Sequence, residues 1–195
     1  MRPAFDALFT IDDALAVVVA RSSEPALGAI KLAWWRERLE ELDQGKVPAE
    51  PRLQAAAAEL LPRGVPGAAL AELTDGWATL FEEEPDVERV AEGGAKLFVL
   101  ATNLLGATHP LIEPAGRLYG YENVARRGLM TMHWPMDELY QLSTHRFPKR
   151  LRPLTALAAL AARDARRGLP FEPEGTPGRS WTLMRHRISG RLPRP

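Results

Sequence analysis

Two adjacent carboxylates, Asp12 and Asp13, stand in the first helical stretch of this 195-residue chain. Acidic oxygens projecting from one side of a helix are the donors that a hard cation such as magnesium takes. Adjacent acids diverge by about 100° on a helix, however, and no two aspartates in the chain stand four residues apart, the spacing that would put both on one side. Asp12 and Asp13 are therefore read as solvated acids near a helix N-terminus, where the helix dipole favours carboxylates. Glu82-Glu83-Glu84, before Pro85, reads as a solvated charge run. His109, His133, His145 and His186 show no metal-ligand spacing and accompany no serine–aspartate arrangement for nucleophilic catalysis. Glycine-rich phosphate loops and dinucleotide fingerprints are absent, and without cysteine there is neither a thiol nucleophile nor a thiolate metal site.

The elements that must carry these residues are helical throughout. Apolar residues recur at intervals of three and four almost everywhere, and no stretch keeps the alternation of a half-buried strand for long. Helices are predicted over Phe5 to Ala20, Pro25 to about Asp43 with a serine of Ser22-Ser23 available as N-cap, and Arg52 to Leu61. A fourth carries Leu70, Leu73, Trp77 and Leu80 toward the core. Further helices are predicted over Val87 to Leu105, around Leu118 to Leu129, after Pro135, and over Pro153 to Arg167. Gly93-Gly94 interrupts the fifth and admits a close approach by another helix or a ligand. The expectation is an all-α, single-domain bundle covering residues 1–195, with a Pro- and Gly-rich loop at Gly168 to Gly178 and a basic tail over 179–195. On the second helix, Leu27, Ile30 and Trp34 share one side. Trp34 and Trp35 point about 100° apart, so at most one lines a cavity. Arg36 and Arg38 are read as surface partners of Glu37, Glu40 and Glu41.

Charge divides the chain unevenly. The formal net charge is zero, yet 12 of the 25 basic residues lie from Arg146 onward, with only Asp164, Glu172 and Glu174 against them. The acidic earlier part disfavours nucleic acid as a partner. The start, with Asp6, Asp12 and Asp13, reads as neither a secretory signal nor a transit peptide, which together with the lack of cysteine suggests a cytoplasmic protein.

Ala7-Leu8-Phe9, Ser23-Glu24-Pro25 and Ile30 through Trp34-Trp35-Arg36 resemble the early helices of the squalene/phytoene synthase family. Leu73-Thr74-Asp75-Gly76 looks like the helix carrying that family's Asp-Gly pair. Asn123-Val124-Ala125-Arg126 and Trp134-Pro135-Met136-Asp137-Glu138-Leu139 look like its Asn-Ile-x-Arg-Asp and Tyr-Leu-Pro-x-Asp-x-Leu region. The resemblance implies a helical bundle of the isoprenoid synthase type around a cavity. Such enzymes hold diphosphate through magnesium bound to carboxylates on two facing helices. Here the register set by Ser23-Glu24-Pro25 lays the first aspartate motif over Ala16-Val17-Val18-Val19-Ala20, and the aspartate after Asn-Ile-x-Arg falls on Arg127. The tyrosine of the family's Tyr-Cys-x-x-Val-Ala-Gly stretch falls on Val90.

The resemblance thus implies no catalytic residue, no metal ligand and no cofactor, and it is nearest to the degenerate, complex I assembly branch of the superfamily. The expected role is a non-catalytic binding or assembly factor. Two alternatives stay open: an active head-to-head prenyltransferase, which would need magnesium, and a carrier holding an isoprenoid or lipid in an apolar cavity. Candidate ligand-binding residues are Trp34, Trp35, Asp75, Trp77, Phe98, Asn123 and Arg126. Asn123 and Arg126, neighbours on one helix face, would either keep an anion site or border the cavity without a ligand. Expected partners are an isoprenoid or lipid ligand, a protein of a membrane complex, and the anionic inner face of a membrane. For the last, Trp181, Met184 and Ile188 form one stripe of a terminal helix with Arg185, Arg187 and Arg191 around it. The competing expectation is that this stripe packs onto the domain and leaves the arginines solvated.

Overall fold

The computed structural model describes residues 2–131 and 134–194, so His133 lies outside the described residues. Those residues form an all-α bundle, as the periodicity requires. The helices are α1 (Arg2–Arg21), α2 (Pro25–Leu42), α3 (Pro51–Glu59), α4 (Gly67–Ala71), α5 (Leu73–Ala78), α6 (Val87–Leu104), α7 (Ile112–Arg126), α8 (Met136–Thr144), α9 (Arg152–Arg167) and α10 (Pro177–Ser189). Among the described residues no helix is long and apolar enough to cross a membrane.

Polar side chains fix several helix starts. Glu50 accepts from the Arg52 and Leu53 N–H groups at α3, and Asp86 accepts from Glu88 and Arg89 at α6. Asp43 performs this service across a gap in sequence, taking the Gly67 and Ala68 N–H groups of α4 at 2.6 and 2.9 Å. The serine expected to cap α2 does not. Glu24 holds the N-cap position without a side-chain bond, and Ser22 turns its hydroxyl back to the Val18 carbonyl, closing α1 instead. The single fourth helix expected from sequence is divided into α4, α5 and a 3-10 turn at Thr79–Phe81. Its apolar residues still face inward: Leu70, Leu73 and Trp77 are buried.

The centre of the bundle is the contact of α6 with α7, flanked by α5 on one side and α9 on the other. Glycine makes it possible. A Cβ on Gly94 would stand 2.8 Å from the Gly120 Cα and press on the Gly116 carbonyl, and one on Gly120 would meet the Val90 carbonyl at 2.9 Å. Gly93 faces the other way, toward Gly76 of α5, with 3.3 Å to the nearest Cα. Helices, not a ligand, fill the approach that this glycine pair was expected to admit.

Two outer helices leave apolar residues exposed. On α2, Trp35, Leu39 and Leu42 are buried, while Leu27, Ile30 and Trp34 stay exposed. The Trp34 ring stands edge-on to Trp35 at 5.4 Å. On α10 the terminal stripe also stays outside, as described below.

Gly94→Ala is expected to destabilise the protein by about 2 kcal/mol, because overpacking against backbone outweighs the roughly 1 kcal/mol of helix propensity gained by alanine. Gly93→Ala, where the neighbours leave more room, should change stability by less than half as much. Urea denaturation of both variants checks the pair.

Candidate functional site

Two buried polar clusters meet at α7, one on each side of its last two turns. The first is built on Asp12, which burial contradicts as a solvated acid: it is almost wholly inaccessible, inside the bundle. The reason is register. Asp12 lies one turn after Leu8 and one before Leu15, both at the core, so the buried stripe of α1 carries it inward. The indole N–H of Trp77 donates to its Oδ1 at 2.8 Å, and the Asn123 amide approaches Oδ2 at 3.5 Å. Burial pushes the Asp12 carboxyl up to about 6, against the lowering effects of the Trp77 bond and the nearby Arg127.

Arg127 completes this cluster. Its Nη2 donates to Asp13 at 2.8 Å, its Nε donates to Asn123 Oδ1 at 2.9 Å, and its guanidinium lies 5.9 Å from the centroid of the Trp77 ring. Asp13 itself reaches solvent. The phenol of Tyr119, half-buried beside Asp12, is held well above the usual tyrosine range by desolvation first and the carboxylate second.

The second cluster holds α7, α9 and α10 together. Glu122 and Arg126 are one turn apart on α7, with Arg126 Nε 3.1 Å from Glu122. Asp164 of α9 lies 3.6 Å from the same Nε and accepts from Arg179 of α10 at 2.7 Å. Arg126 also donates from both terminal nitrogens to the Glu172 carbonyl, at 3.2 and 2.6 Å, and stands over the Phe171 ring at 5.4 Å. Arg163 pairs with the Glu172 carboxylate. Burial and the adjacent Asp164 raise Glu122 well above the ordinary carboxyl range. Asp164 Oδ1 is buried without a hydrogen-bond partner.

The seven residues singled out from sequence do not form one site. Trp77 and Asn123 line the space beside Asp12, Gly94 and Tyr119, which measures about 20 Å³. That is room for a single water molecule and not for an isoprenoid chain. Asn123 and Arg126 also line an open cavity of about 840 Å³ between α7, α9, α10 and the 168–176 loop, with Arg127, Arg179 and Phe171. Arg126 there is fully engaged by Glu122, Asp164 and the Glu172 carbonyl, so it braces the loop rather than offering donors to an anion. Asp75 lies elsewhere, on a half-exposed surface, paired with Arg36. Trp35 and Phe98 are buried core residues, and Trp34 is outside. Sequence reasoning missed Tyr119, Glu122, Asp164 and Arg179. The one available signal was Glu122–Arg126 at helical spacing, which surface ion pairs share.

Among the described residues no group of three or more His, Cys, Asp or Glu side chains is arranged to hold a metal ion. The Asp12 environment does not fit magnesium: one oxygen is taken by an indole N–H, and a guanidinium stands beside the carboxylates. No family model, curated protein or solved structure matches the chain significantly.

Because the folded-state value of Asp12 is raised, stability is fully present below its ordinary value of 3.8 and is lost as pH rises through about 6. Asp12→Asn keeps an acceptor for Trp77 and removes the charge. Its melting temperature should exceed the parent's at pH 8, with the gap opening between about pH 4 and pH 7. Thermal melts across that range check it.

Proposed function

We propose that this protein is a squalene/phytoene synthase-like binding or assembly factor that carries out no prenyl transfer. The observation that carries this reading is Arg127. In the resemblance, its position belongs to an aspartate that helps hold magnesium. Here a guanidinium supplies the positive charge beside Asp12 and Asp13, bonded to Asp13 and Asn123. A fixed cation in that place repels a metal ion and brings no diphosphate with it.

The outer face of α2 supports the binding half of the proposal. Leu27, Ile30 and Trp34 are exposed together, with Ala26, Ala29 and Ala33 exposed beside them. A helix apolar on both sides is normally covered on both. A contiguous exposed apolar surface of this kind is what a protein partner covers.

Purified protein incubated with farnesyl or geranylgeranyl diphosphate and magnesium is expected to release no diphosphate above a heat-treated control. Magnesium-dependent release that disappears in Asp12→Ala and Asp13→Ala would overturn the proposal and make the chain a prenyltransferase.

A further inference from the structure

Helix α10 is amphipathic in the reverse of the usual sense. Its inward face is polar and anchored. Arg179 reaches Asp164, and Thr182 accepts from Arg163 at 3.5 Å. His186 sits between Thr155 Oγ1 at 2.9 Å and the Arg191 carbonyl at 3.1 Å. Arg152 closes the helix end by donating to the Arg187 and Ile188 carbonyls, both at 2.9 Å. The expectation that the apolar stripe packs onto the domain is therefore corrected: buried ionic and hydrogen-bonding groups compete for the inner side and win it. Trp181 and Ile188 are 61% and 69% exposed, with Met184 between them.

At about 100° per residue, Trp181, Met184 and Ile188 form the crest of the outward face. Arg185 falls on one flank and Arg187 on the other. Beside the Arg187 flank lies a groove of about 570 Å³ lined by Lys149, Arg152, Pro153, Ala156, Leu183 and Arg187. Among the described residues, the ion pairs of this half use Arg163, Arg167 and Arg179 and leave Lys149, Arg150, Arg185 and Arg187 unmatched.

We infer that α10 is an interfacial helix that docks the protein on an anionic lipid bilayer, with Trp181, Met184 and Ile188 at the acyl boundary and Lys149, Arg185 and Arg187 on lipid phosphates. A convex apolar crest flanked on both sides by cations matches a bilayer, where apolar and anionic layers lie at different depths in one plane. A protein partner would need a groove with acidic walls to match it. The inference is independent of the catalytic question, since every residue involved is remote from Asp12.

The test is co-sedimentation of the full chain with vesicles of phosphatidylcholine alone or with phosphatidylglycerol added, at low and high salt. Binding to the anionic vesicles is expected, weakened by salt, with a blue shift of tryptophan emission. Arg185→Ala with Arg187→Ala should lower partitioning roughly thirtyfold. Trp181→Ser with Ile188→Ser should abolish the blue shift, while melts confirm that both variants fold. Failure of the parent to bind anionic vesicles, equal binding to neutral ones, or variants that partition like the parent would each overturn the inference. Displacement by an acidic polypeptide at equal charge, without any blue shift on vesicles, would do so in favour of a protein partner.

Discussion

A carboxylate buried at the centre of an apolar bundle must be satisfied or neutralised, and most of this structure can be followed outward from how Asp12 meets that demand. Removing the group from water is costly unless donors replace the lost solvation. Those donors come from two different helices. Trp77 must bring its indole N–H from α5, Asn123 its amide from α7, and Arg127 its charge from the end of α7. Each requirement fixes a helix in rotation and in height relative to α1. The glycines at the α6–α7 contact then become necessary, because only a close approach of those backbones lets α7 reach Asp12 while α6 stays behind Trp77.

The same logic governs the other side of α7. Glu122, Asp164, Arg126 and Arg179 are paired in charge only when α9 and α10 are both in place, and breaking one partner of such a set leaves a buried charge uncompensated. This cluster decides the orientation of α10. Its polar residues are drawn inward to Asp164 and Thr155, and the apolar crest is left facing out. The two exposed apolar surfaces lie on helices that pack against different neighbours, α2 against α4 and α5, and α10 against α9. The chain thus carries two separate apolar faces, one on α2 and one on α10.

The helices were legible because the spacing of apolar residues is set by helix geometry and little else. Trp77, Leu70 and Leu73 turned inward as their periodicity requires. What sequence hid was the identity of inward positions occupied by polar residues. Asp12 and Asp13 look equivalent in a linear reading, yet 100° of helix rotation puts one in the core and the other in solvent. Asn123 and Arg126 were singled out by resemblance alone; both are half-buried on the wall of the open cavity and engaged with protein groups. Asp164 and Arg179 were invisible because their partners are brought together only by the packing of α9 on α10. On that helix the usual rule, apolar inside, failed where ionic partners had a stronger claim on the buried side.

The central claim is that the Arg127 guanidinium stands as the counter-charge to the Asp12–Asp13 pair, in place of a metal ion. A double-mutant cycle measures this directly, using the unfolding free energies at pH 8 of the parent, Arg127→Ala, Asp12→Asn and the double variant. Loss of the guanidinium should destabilise the parent by about 1–3 kcal/mol and, because the bonds to Asp13 and Asn123 remain at stake, by on the order of 1 kcal/mol less once Asp12 is neutral. Strictly additive effects, or restoration of Arg127→Ala to parental stability by millimolar magnesium, would contradict the account.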